Sequence, residues 1–331
     1  MGIENRTDEG HLVTTDSRLQ HFPISWFATV MGLSGLTIAW EKAEAVFALP
    51  VAVSTGLMAV TAAVFLVVAV LYGAKAVRYP EAVTAELRHP IKLSFFPTIS
   101  ISLILLAIGT LHGAPDWSLA LWAGGTALHL VFTLFVMAVW LNHEHFEIHH
   151  MNPAWFIPVV GNILVPIAGA AHGYAEISWF FFSIGLVFWL VLLTIVFYRM
   201  IFHQPLPAKL TPTLFILIAP PAVGFLSYFR LTGEIDAFAR ILYYSGLFLT
   251  LMLTTQIGRF TRIRFFLSWW AYSFPLAAIT VATLVMGQAL GGAAFQVLGV
   301  VLLTVLSLVL AMLVVRTAVS IGRREICVEE A

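Results

Sequence analysis

Long apolar runs, each separated from the next by a few charged or turn-forming positions, pattern this chain from end to end. A bilayer crossing needs about 20 mostly apolar residues, and ten stretches meet that need: 23–40, 46–74, 91–112, 117–141, 154–172, 176–201, 211–231, 236–257, 265–288 and 290–316. The connections are short. The pattern therefore predicts an all-α integral membrane protein with a polar tail over 1–22, a ten-helix transmembrane domain over 23–316 and a second tail over 317–331. The first tail carries both charge signs and no apolar centre, so it does not read as a cleaved signal peptide.

The ten stretches are of two kinds. The odd ones begin polar or basic, place an aromatic several residues in, and then bring proline or glycine among small and hydroxyl residues: PISWFATVMGLSG (23–35), IKLSFFPTISIS (91–102), NPAWFIPVVGNILVP (152–166), LTPTLFILIAPPAVG (210–224) and SWWAYSFPLAAIT (268–280). Phe27, Phe96, Phe156, Phe215 and Phe274 recur with steps of 69, 60, 59 and 59 residues. The even stretches differ in kind: AVTAAVFLVVAVLYG, VFTLFVMAVW, WFFFSIGLVFWLVLLTIVF and VLGVVLLTVLSLVLAMLVV are almost uniformly apolar and lack interior proline. A helix apolar all round belongs against lipid or deep in a bundle, whereas proline-broken backbone is tolerated where neighbours or cavity water satisfy the freed carbonyls. Five helical hairpins follow, with odd helices inside around an axial path and even helices outside.

Composition sharpens this picture. Of 331 residues, 60% are hydrophobic and 10% charged, against about 25% charged in a soluble domain; mean hydropathy is +0.94. A soluble enzyme is excluded, and 17 basic residues balanced by 17 acidic ones leave no net field to recruit nucleic acid. Distribution matters more than balance. With ten crossings, only Lys42, Arg230 and Arg240 fall on one side, and the other 14 Lys and Arg fall on the side that holds both termini. Cationic loops are retained in the cytoplasm, so both termini are expected there, in a multi-pass protein of the cell inner (plasma) membrane.

The predicted inner helices carry no charge at their centres. They offer Ser25, Thr29, Ser34, Thr98, Ser100, Ser102, Asn162, Ser273 and Thr280, and such groups give an anion weak sites that it can both enter and leave. The pore-lining set is Phe27, Thr29, Phe96, Thr98, Ser102, Phe156, Asn162, Phe215, Ser273 and Pro275. A proton-coupled carrier needs a titratable group within the membrane; the central one is His129, on an outer helix, and it reads as a packed histidine. The run NHEHFEIHH (142–150) invites a zinc reading, but a structural zinc site needs a closed ligand set, so it is taken as a polar loop and no metal or cofactor is expected. Cys327, the single cysteine, sits in the C-terminal tail and cannot form an internal disulfide.

Four of these segments, WFATVMGLSGLTIAW, HPIKLSFFP, NPAWFIPVVGN and SWWAYSFPLAAIT, resemble the tellurite-resistance and dicarboxylate transporter family. That family takes in bacterial TehA-like proteins, plant guard-cell slow anion channels and fungal malate permeases. The resemblance runs over roughly 23 to 316 and implies ten helices as five hairpins in quasi-fivefold array, a homotrimer with a pore in each protomer, and a ninth-helix aromatic that blocks the pore, here Phe274. Span one has Met31-Gly32 in place of the family's proline-containing stretch, so no kink is carried over there. The expected function is an anion-selective channel for small monovalent anions such as chloride or nitrate, or for small organic anions. The alternative is a coupled transporter or exporter of malate and other C4-dicarboxylates, sulfite or tellurite-related oxyanions.

Overall fold

The computed structural model of the protein describes residues 15–142 and 146–328. All regular structure among them is helical: α1 (Thr15–Gln20), α2 (Phe27–Phe47), α3 (Val53–Arg78), α4 (Pro80–Arg88), α5 (Thr98–Thr110), α6 (Pro115–Asn142), α7 (Phe156–Val160), α8 (Val165–Gly169), α9 (Ala175–Phe202), α10 (Ala219–Thr232), α11 (Ala237–Thr254), α12 (Ile257–Phe260), α13 (Ser273–Leu290) and α14 (Ala293–Gly322), joined by short 3-10 segments. Eight helical segments among the described residues are long and apolar enough to cross a membrane. Two further segments fall short for separate reasons. Pro153–Gly169 is apolar but only 17 residues long, and α2 carries Glu41, Lys42 and Glu44 near its end.

Prolines explain how the odd segments are built. Pro97 immediately precedes α5, Pro166 sits in the first turn of α8, Pro220 and Pro221 in that of α10, and Pro275 is the third residue of α13. In each case a 3-10 stretch comes first: 92–95, 161–164, 211–218 and 267–272. Proline lacks an N–H, which costs nothing in a first turn where that group has no partner. These residues therefore stand where a 3-10 lead-in gives way to α-helix instead of kinking a continuous helix. Span one lacks such a proline, and α2 runs unbroken for 21 residues.

Inside and outside are distinct. In the most apolar stretch of Lys92–Thr110, Thr211–Thr232 and Leu267–Leu290, 67–78% of residues are buried, against 17–39% in α3, α6, α9, α11 and α14. Each of those five packs beside the odd element before it in the chain, and the odd elements close a circuit: α2 against α5, α5 against α8, α8 against α10, α10 against α13, and α13 back against α2. The last contact is very close. A Cβ on Gly32 would lie 2.7 Å from Ser273 Cβ, and one on Gly35 would lie 2.7 Å from Ala277 Cβ.

Helix ends follow the apolar pattern closely except at the first turn and at the end of the last helix, which runs six residues past the predicted 316. α2 continues to Phe47, seven residues past the predicted end of span one, and Ala48 closes it in the left-handed conformation (φ 49°). The charges at 41, 42 and 44 do not stop the helix because each has a partner or faces open space. Glu44, for example, accepts from the backbone N–H (2.9 Å) and hydroxyl (2.5 Å) of Ser54, placing negative charge at the N-terminus of α3 where the helix dipole favours it. At the far end α14 reaches Gly322, and the two terminal segments meet where Arg18 donates to the Ile326 carbonyl at 3.5 Å.

Candidate functional site

Two cavities lie end to end inside the circuit of odd elements. The wider, about 460 Å³, opens at the end of the bundle away from the termini, and the narrower, about 50 Å³, lies on the terminal side. All five odd elements contribute to both. Gly35, Leu105, Ile167, Leu226 and Ala277 stand in the wall of the first; Met31, Ile101, Val160, Ala219 and Phe274 stand in that of the second. No residue of α3, α6, α9, α11 or α14 lines either.

Leu164, Val223 and Phe274 belong to both cavities and so form the partition between them. Among the five recurrent phenylalanines, Phe27, Phe96, Phe156 and Phe215 are 1–8% exposed, whereas Phe274 is half-buried. Phe27 and Phe96 pack edge-on to Tyr72, with ring centroids at 6.1 and 6.3 Å. Phe215 packs against Phe260 (5.0 Å) and Tyr272 (4.7 Å). Phe156 borders the narrower cavity. Phe274 alone of the five reaches both spaces, held beside Pro275 at the start of α13 and backed by α2, where a Cβ on Gly35 would stand 3.4 Å from its ring.

The polar groups of the predicted lining have their protons committed to backbone carbonyls. Thr29 donates to Trp26 (2.8 Å), Thr98 to Phe95 (2.5 Å), Ser102 to Thr98 (2.7 Å) and Ser273 to Trp270 (2.5 Å). Asn162 donates to Val159 (2.6 Å) and to the Thr133 hydroxyl of α6 (3.0 Å), joining an odd element to its outer neighbour. The surfaces on either side of Phe274 are therefore apolar. A charged species entering these spaces would give up water without a fixed charge to replace it, which is costly.

His129 is fully buried on α6 and fastens it to α5. Ser100 donates to the Pro97 carbonyl (2.8 Å), so the histidine Nδ1–H is assigned as donor to the Ser100 oxygen (2.9 Å). In the 142–150 run, His143, Glu144 and His145 lie outside the described residues. Glu147 lies 3.1 Å from His149, and burial together with the neighbouring His149 pushes the His150 imidazole below its ordinary value. Among the described residues, no three metal-ligating side chains come together.

None of the predicted lining residues stands at the wide mouth, which Glu41, Lys42, His112 and Arg230 line instead. The available signal was the rarity of Lys and Arg on that side of the charge distribution. What the sequence could not give was that two of those three cations converge on one opening.

The family profile described as voltage-dependent anion channel matches residues 21–318. The chain is 30% identical to the S-type anion channel SLAH3 of Arabidopsis thaliana over 308 residues, which cover 91% of this chain and 48% of that protein. It is 29% identical to the uncharacterized transporter MJ0762 of Methanocaldococcus jannaschii, over 81% of this chain and 85% of the other. With the tellurite resistance protein TehA homolog of Haemophilus influenzae it shares 27% identity over 78% and 79% of the two chains. This chain thus spans about half the length of the plant relative and most of the length of the two microbial ones.

Proposed function

Since this chain belongs to the voltage-dependent anion channel family, we propose that it forms an anion-selective channel that passes small monovalent anions such as chloride or nitrate down their electrochemical gradient. The observation that carries this reading is the pair of cavities walled by all five odd elements and divided at Phe274. The path runs along the axis of ten spans arranged as five hairpins, the closed circuit of odd elements being what supports that arrangement. In this reading Phe274 is the gate and Phe156 faces the path on the terminal side. Thr29, Thr98, Ser102, Asn162, Ser273, Pro275, Phe27, Phe96 and Phe215 shape the helices that surround it. Lipid covers the exposed apolar faces of the even helices, the protomer assembles as a homotrimer, and both termini face the cytoplasm, in keeping with the 14-to-3 charge split in the plasma membrane.

A channel needs attraction weak enough to release its ion, and apolar walls closed by one aromatic ring fit that need. Purified protein in liposomes tests the reading. Under chloride or nitrate gradients the reversal potential should follow the anion gradient alone. A potential that shifts with pH or with a co-ion would instead place the protein among coupled carriers of malate, sulfite or related oxyanions.

A further inference from the structure

The wide cavity carries charge only at its open end. Glu41 and Lys42 sit on the last turns of α2, His112 just past α5 and Arg230 near the end of α10, while the wall between them and Phe274 is apolar, with Ile38, Leu105, Leu226 and Val281 among its residues. Lys42 and Arg230 are two of the three basic residues that the charge distribution assigns to the external side. A face nearly cleared of cations keeps two of them where the pore opens.

Neither cation is held in an ion pair among the described residues. Lys42 donates to Gln288 Oε1 of α13 at 2.5 Å, a neutral partner that fixes its position without cancelling it. Arg230 is exposed and takes part in none of the ion pairs among the described residues. The one carboxylate in the lining, Glu41, is engaged by His112 Nδ1 at 2.8 Å. Asp236, on the turn that follows α10, is also occupied: it accepts from the Tyr228 hydroxyl (2.6 Å) and from the backbone N–H of Ala239 (2.9 Å) at the start of α11.

Resting on the channel reading above, we infer that this outer vestibule is an anion-binding antechamber. Lys42 and Arg230 concentrate small inorganic anions there, and Glu41, drawn aside by His112, opposes them. Two cations against one carboxylate leave the mouth with a net positive charge, and an excess of one sign in a cleft with low-dielectric walls focuses the field and raises the local concentration of counter-ions. One water needs about 10–15 Å³ of such space, so a cavity of about 460 Å³ admits an anion together with its hydration shell. Attraction in the vestibule and dehydration at Phe274 are then separate steps.

The test uses the full chain with Phe274→Ala, in neutral-lipid liposomes, so that the vestibule and not the ring limits flow. With external chloride at about 20 mM, Lys42→Gln combined with Arg230→Gln should lower anion flow from the outside by about threefold or more, and Glu41→Gln should raise it. Near 1 M salt, where the screening length is about 3 Å, the differences should vanish. To separate charge from folding, Arg230→Cys in a background lacking Cys327 is labelled with an anionic or a cationic thiol reagent in the same folded protein. The cationic adduct should conduct better at low chloride. Equal flow for both adducts, or a double glutamine variant matching its parent, overturns the antechamber while leaving the channel intact. A parent that carries no anion at all overturns the channel reading itself.

Discussion

Lys75 and Glu86 are two of the few charged side chains that the fold buries, at 2% and 7% side-chain exposure, 3.1 Å apart. Lys75 also donates to the Phe22 carbonyl (2.9 Å), and the Tyr72 hydroxyl donates to Glu86 (2.8 Å). One cluster thereby ties α3, α4 and the N-terminal segment together. Removing one member of a buried pair leaves the other charged and uncompensated, at about 3–5 kcal/mol, so Glu86→Ala should lower thermal stability by that order. Thermal melts of the purified protein check this, with Lys75→Met combined with Glu86→Leu expected to recover much of the loss. In the sequence Lys75 counted only as one more cation on the basic side, since nothing in an 11-residue separation shows that Tyr79-Pro80 turns α4 back onto α3. Phe274 teaches the same lesson: a recurrent spacing fixes depth along a helix, but which ring meets open space depends on how neighbouring helices are rotated.

Between elements, the closest approach is α2 against α13. Gly32 and Gly35 lie on one face, three residues apart, and leave room for Ser273 and Ala277. Gly32→Val would push a branched side chain against Ser273 and the Trp270 ring, whose Cε3 lies 3.0 Å from where a Cβ would stand. Overpacking of this kind costs about 1–3 kcal/mol, and the expected result is a lower melting temperature, whereas Gly56→Val on α3, where a Cβ meets no atom within 4 Å, should melt close to the parent. The helices themselves were legible from apolar length, and the difference between odd and even ones from proline content. Their junctions were less so. AVFAL (45–49) extends the apolar run of span two toward span one, while the turn falls after Phe47, where Ala48 is left-handed and Glu44 caps the next helix.

For the whole molecule, the central claim is that one aromatic ring bars an anion path through an uncharged bundle axis. Two cavities share Phe274, all five odd elements wall both of them, and of the four equivalent phenylalanines Phe27, Phe96 and Phe215 are packed away while Phe156 borders the narrower cavity alone. A ring so placed obstructs by volume and by stripping water from the passing anion, and each 1.4 kcal/mol removed from that barrier is about tenfold in rate. The most direct test is bilayer conductance of Phe274→Ala beside the parent protein, recorded with thermal stability. The account predicts anion current at least several-fold higher with little loss of stability, and a smaller effect from Phe156→Ala or Phe215→Ala. Unchanged conductance in a variant destabilised by about 3–5 kcal/mol, the cost of truncating a packed phenylalanine in a core, would contradict it.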